Sequence, residues 1–156
     1  MRDWPTSWMS QYLMGKLLDR ASSECLLLPE GDYRVVFQDW EVLLYLGKAP
    51  KICAEFKIVD YGEYFERSIY RWWNVKPTRS KLSKNCWKVG KSSNLYREYC
   101  DVTFEAPKRL DRMPLSRLEN HIVLATVKTV KQARDQSVIP DVAQYSVINK
   151  LRRIPL

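Results

Sequence analysis

Residues 29–75 read PEGDYRVVFQDWEVLLYLGKAPKICAEFKIVDYGEYFERSIYRWWNV. Pro-Glu-Gly-Asp opens the stretch as a turn, and β-branched and aromatic residues follow. Breaks at Gly47 to Pro50 and at Asp60 to Glu63 divide it into three strands joined by hairpins. The middle strand alternates most cleanly: Ile52, Ala54, Phe56 and Ile58 point one way, and Lys51, Cys53, Glu55 and Lys57 the other. A period of two marks a strand with one buried face. In the first strand Tyr33, Phe37 and Trp40 read as core. The third strand, expected over Phe65 to Val75, is less regular. Ile69 and Trp73 share a face with Arg67 and Arg71, while Tyr70 and Trp72 share theirs with Glu66, Ser68 and Asn74, so neither face is plainly apolar.

Upstream, Pro5 with Thr6 or Ser7 as cap precedes Trp8, Met9, Tyr12, Leu13 and Leu17 at helical spacing. The pattern predicts an amphipathic helix over residues 7–20, within an N-terminal segment 1–28 that packs on the main domain at 29–156. Downstream, Ser92 or Ser93 caps a short helix through Cys100, with Leu95, Tyr99 and Cys100 turned inward. An irregular basic connector spans 108–118. His121 to Val130 reads as a strand, KQARDQSVIPD as a polar loop, and Ala143 to Ile154 as a last strand. No internal repeat or low-complexity tract interrupts this order.

The chain has 156 residues, 46% hydrophobic and 12% aromatic, enough for one respectable core. It carries 26 basic against 18 acidic residues, a formal charge of +8. The excess is local. Between Glu66 and Glu98 there is no acid, but Arg67, Arg71, Lys76, Arg79, Lys81, Lys84, Lys88, Lys91 and Arg97 all fall there. Those nine positive charges leave the remainder near neutral. The same window holds Tyr70, Trp72, Trp73 and Trp87. A solvated loop would account for the lysines but has no use for the rings, and a core would use the rings but not unpaired lysines. Rings and cations interleaved at this density point to a surface that meets a polyanion.

Cys25, Cys53, Cys86 and Cys100 form no C-x-x-C pair, and the single histidine, His121, sits in an apolar run, so zinc-ligand spacing is absent and no cofactor is implied. Residues 1–20 are broken by Asp3, Pro5, Gln11, Lys16 and Asp19, unlike a secretory signal, and no apolar run approaches a membrane span of about 20 residues. Reduced thiols in a cytoplasmic protein, with no membrane partner, are the expectation.

Three meandering strands, a helix and two more strands form the element order βββ-α-ββ of the five-stranded Greek-key barrel called the OB-fold, here with an added N-terminal amphipathic helix and a basic insert at 76–91. PEGDYRVVF through RSIYRWWNV also resembles the N-terminal half of phage and mobile-element single-stranded DNA-binding proteins. In these a Gly-x-Tyr opening strand, a small-residue turn, a strand ending in an acidic Gly hairpin and a strand ending in an aromatic-Asn pair occur in this sequence order. The motif likeness covers residues 29–75, and element order extends it to 154.

That resemblance implies that a nucleic-acid strand crosses the second and third strands, flanked by the loops LGKAPK and KTVKQARDQSVIPD. Tyr70, Trp72, Trp73 and Trp87 are then the stacking candidates, although one of two adjacent tryptophans on a strand is expected to enter the core. Lys48, Lys51, Arg67, Arg71, Lys128, Lys131 and Arg134 are the phosphate candidates, joined by Lys76, Arg79, Lys84 and Lys88 of the insert. The expected partner is single-stranded DNA, with RNA not distinguished, in phage or mobile-element replication or recombination. A homo-oligomer and contacts with replication or recombination proteins fit the same role.

No Gly-rich phosphate loop, G-x-S-x-G elbow, H-E-x-x-H or paired-carboxylate motif is present, and Asp39, Glu41, Glu55 and Asp60 are scattered as strands scatter acids by default. The chain therefore reads as a non-enzyme. The alternative is a small phage or mobile-element interaction protein that binds and inhibits a host protein or nucleoprotein complex.

Overall fold

A computed structural model describes residues 27–45, 49–78, 86–133 and 136–155. The helix expected over 7–20, together with Cys25, lies outside them. Five strands form a mixed, mainly β barrel: β1 (Gly31–Tyr45), β2 (Ala49–Ile58), β3 (Ser68–Asn74), β6 (Ile122–Val130) and β7 (Tyr145–Arg153). Two short strands, β4 (Lys76–Pro77) and β5 (Trp87–Lys88), pair separately as a ribbon. The barrel order is β1-β2-β3-β7-β6, closed by β6 pairing back on β1. Every neighbouring pair is antiparallel except β3 and β7, which meet in parallel at Arg71 and Ile148.

Strand β1 serves both halves of the barrel. Gly31 to Val36 pair with β6, and Val35 to Tyr45 pair with β2. A bulge at Gln38, between Phe37 and Asp39, bends the strand and changes which parity faces inward. Val35 and Phe37 are buried before it, opposite Ile58 and Phe56. After it Trp40 and Val42 lie opposite Ala54 and Ile52 and pack on the core. The alternation expected for β2 is present, with Ile52, Ala54, Phe56 and Ile58 all buried.

Strand β3 begins at Ser68, three residues later than the sequence suggests. Residues 59–67 form a loop instead. Gly62 there takes φ +143°, where L side chains are rare, and Asp60 receives the Arg34 backbone N–H at 2.8 Å and its Nε at 2.6 Å. Tyr64 packs edge-on against Tyr33, ring centres 6.4 Å apart.

Between β3 and β6 runs the helix α1 (Asn94–Thr103). The Ser93 side chain accepts from the Tyr96 backbone N–H at 3.2 Å, and Phe104 closes the C-terminus in a left-handed conformation. Leu95, Glu98, Tyr99 and Val102 fall at i, i+3, i+4 and i+7 and are all buried, so the stripe facing the barrel contains a carboxylate. Arg71 meets it from the inner face of β3. Glu98, 5% exposed, accepts from Arg71 Nη2 at 3.0 Å, from Arg71 Nε at 3.2 Å, from the Trp73 indole N–H, and from the Leu151 backbone N–H at 2.9 Å. Two residues along β7, the Arg153 N–H donates to Asp101 Oδ2 at 2.9 Å. Carboxylates one helical turn apart thus accept the Leu151 and Arg153 N–H groups along the seam where β7 shares a single ladder bridge with β3.

No described helix is long and apolar enough to cross a membrane. The described cysteines, Cys53, Cys86 and Cys100, form no disulfide.

Breaking a buried ion pair from one side costs about 3–5 kcal/mol, comparable to the whole stability of a small domain. Glu98→Ala is expected to lose that much in urea unfolding. A loss below about 1 kcal/mol would show that the seam does not depend on this carboxylate.

Burial raises the Asp60 carboxyl, but the two bonds from Arg34 and its charge outweigh burial and hold it below the ordinary 3.8. Its stabilising contribution is therefore present at neutral pH and disappears as pH falls through the depressed folded value. Asp60→Asn should flatten the acid limb of a stability-versus-pH curve below about pH 4. An unchanged limb would contradict this.

Candidate nucleic-acid interface

Because side chains alternate, the inner positions of β3 leave Ser68, Tyr70, Trp72 and Asn74 on the outer face. Across the ladder these lie opposite Lys57, Glu55, Cys53 and Lys51 of β2. Tyr70 and Trp72 are half-exposed and about 6.6 Å apart along the strand. Lys51 is half-buried in the next row and Lys57 is exposed at the other end. Tyr70, Trp72 and Lys51 thus lie on one surface.

Three other candidates move to the interior. Trp73 is 2% exposed, packed in the core with its N–H on Glu98. Trp87 is also 2% exposed, packed edge-on against Trp40 with ring centres 5.8 Å apart. Neither ring has a face for a base, and each fills space that a small barrel must fill. Arg71 is buried, committed to Glu98 and to the Trp72 carbonyl, which Nη1 reaches at 3.0 Å. Its charge neutralises a carboxylate rather than a phosphate.

The remaining cations are dispersed. Arg67 is half-buried just before β3, with its backbone tied to Ile58 and Tyr64. Lys76 and Lys88 are exposed and face each other across the β4–β5 ribbon, which begins directly after the Asn74 end of β3. Lys128 is exposed on β6, separated from β3 by β7, and Lys131 is exposed in the turn beyond β6, where Gln132 and Val138 form an isolated bridge. Lys48, Arg79, Lys84 and Arg134 lie outside the described residues.

Two groupings escaped the sequence reading. Asp39, Glu41 and Glu55 line a shallow cleft with Trp40, Cys53 and Tyr70, on the β1 side of the two exposed rings. The bulge at Gln38 creates it: an unbroken alternation from Phe37 would have turned Asp39 and Glu41 inward. The change of apolar parity from Val35 and Phe37 to Trp40, Val42 and Leu44 is the sequence signal. Glu55 also accepts from Ser68 Oγ at 2.7 Å. Second, Tyr61, 98% exposed, stands beside Phe65 in the β2–β3 loop with ring centres 5.8 Å apart, flanked by exposed Glu63 and Glu66. Among the described residues no three His, Cys, Asp or Glu side chains are grouped so as to hold a metal ion.

Comparison with family models, curated proteins and solved structures returns no match to this chain. The geometry of its own residues carries the functional argument.

The adjacent tryptophans should separate cleanly in stability. Trp73→Ala is expected to cost about 3–5 kcal/mol, and Trp72→Ala about 1 kcal/mol or less. Equal losses in thermal melts of the two variants would contradict the assignment of one ring to the core and the other to the surface.

Proposed function

We propose that this chain is an OB-type barrel that binds single-stranded nucleic acid, DNA in the first instance, without catalysing a reaction on it. The setting is a cytoplasmic one, in phage or mobile-element replication or recombination. The strand order β1-β2-β3-β7-β6, the parallel β3–β7 contact and a helix between β3 and β6 support the fold reading, since they match the connectivity of that barrel.

The observation that carries the functional reading is the pair Tyr70 and Trp72, half-exposed on one face of β3 with Lys51 in the adjoining row. Rings of this kind accept bases of any sequence, because every base has a π face, and cations beside them neutralise the backbone. Asp39, Glu41 and Glu55 repel phosphates from the β1 side, so the strand follows β3 toward Lys51, Asn74 and the ribbon.

The same three acids support a second reading, in which the face docks a basic surface of a host protein or nucleoprotein complex and inhibits it. Titration of the protein alone with single-stranded and duplex DNA separates the two.

If about five phosphates are neutralised, single-strand affinity falls on the order of 100-fold between 50 and 200 mM salt. Trp72→Ala should weaken binding by about 5- to 150-fold while the protein stays folded. Absence of any shift of a fluorescent homopolymer at low salt would favour the inhibitor. Oligonucleotide cleavage with magnesium or manganese, abolished by Glu55→Gln, would instead make the chain a nuclease.

A further inference from the structure

The basic connector at 108–118 has no part in the face described above. The structure brings it to the ribbon: the Val89 N–H, directly after β5, donates to the Leu110 carbonyl at 3.2 Å. Within two residues of that bond lie Lys88 and Lys91 on one side and Lys108, Arg109 and Arg112 on the other, all exposed. Lys76 joins them across the ribbon, directly opposite Lys88. Asp111 is the one acid among these positions, and it is held by Arg109 through bonds of 2.7 and 2.9 Å. Like charges placed directly opposite across a strand pair repel. Lys76 and Lys88 bear that cost with no described carboxylate bridging them.

A polyanion would relieve it. The apolar residues at this place, Trp87, Val89 and Met113, are buried, Leu110 is half-buried, and none of the exposed large apolar side chains among the described residues belongs to the patch. The patch therefore lacks the aromatic or aliphatic anchor on which a protein interface concentrates its affinity. It offers charge alone, which is what a phosphate backbone needs. It also continues from the face, because Lys76 is two residues beyond Asn74.

We propose that Lys76, Lys88, Lys91, Lys108 and Arg112 form a base-independent phosphate track that holds the backbone of the strand after it leaves Tyr70 and Trp72. This rests on the single-strand reading of that face and extends the path from β3 over the ribbon to the connector. Short strands end on the rings, and longer ones reach the track.

Salt titrations with oligothymidylates of about 6 and about 20 nucleotides test it, the shorter spanning one face and the longer exceeding it. The long oligomer should show the steeper dependence. Lys91→Ala/Lys108→Ala/Arg112→Ala should reduce its logarithmic slope by about 2, three phosphates at about 0.7 each, and leave the short oligomer within about twofold. Trp72→Ala should weaken both. If the triple variant, shown folded by an unchanged melt, keeps the parental slope on the long oligomer, or loses short and long equally, the track is overturned while the face reading stands. If the parent protein binds neither oligomer, both fail together. An acidic protein as the true ligand would appear as a triple variant indistinguishable from the parent on every oligomer.

Discussion

Glu98 accepts four N–H groups from two strands while lying on the apolar stripe of α1, and the barrel depends on its being there. Strands β3 and β7 run parallel and share only the Arg71 and Ile148 register, so the ladder alone does not satisfy the N–H groups of β7 along this seam. An orphaned backbone donor inside a protein costs about 1–3 kcal/mol. The helix supplies acceptors instead, Glu98 for Leu151 and Asp101 for Arg153. Arg71 then becomes necessary, since a buried carboxylate needs an opposite charge. Trp73 is drawn in by its indole N–H, which leaves Trp72, the next residue, on the outside.

The same alternation thus makes the core and exposes the candidate site. Arg71 and Trp73 turn inward to close the barrel, and Tyr70 and Trp72 must turn outward. On the outer face the rings have acids on one flank and, past Asn74, cations on the other. The charge on this face is therefore polarised, negative toward β1 and positive toward the β4–β5 ribbon. Tyr61 and Phe65 are a separate feature: their flanking Glu63 and Glu66 make the β2–β3 loop unsuited to phosphates despite its exposed rings.

Much of this was legible in residues 29–75 and 92–103. The strict period of two in β2 requires one buried face whatever the rest of the chain does, and Ser93 before Leu95 and Tyr99 specifies a helix start by local hydrogen bonding. The strand-rich order around one helix, and the pairing of Tyr70 with Trp72, follow from the same short-range rules. The opening segment, residues 1–26, lies outside the described residues.

What sequence by itself determined is the five barrel strands, the helix from Asn94 and the local excess of positive charge, because turn chemistry, periodicity and composition act over a few residues, whereas the β4–β5 ribbon reads in the sequence only as an insert. Tertiary structure alone decided which charged and aromatic residues turn inward. Arg71 on a strand and Glu98 on a helix each look misplaced in the sequence, and only their meeting across 27 positions makes both acceptable in the interior. Trp87 became core because the ribbon folds it onto Trp40, and the lysines beside it met the connector because Val89 bonds to Leu110. Whether a charge or ring is buried depends on partners distant in the chain, and local pattern carries no record of them.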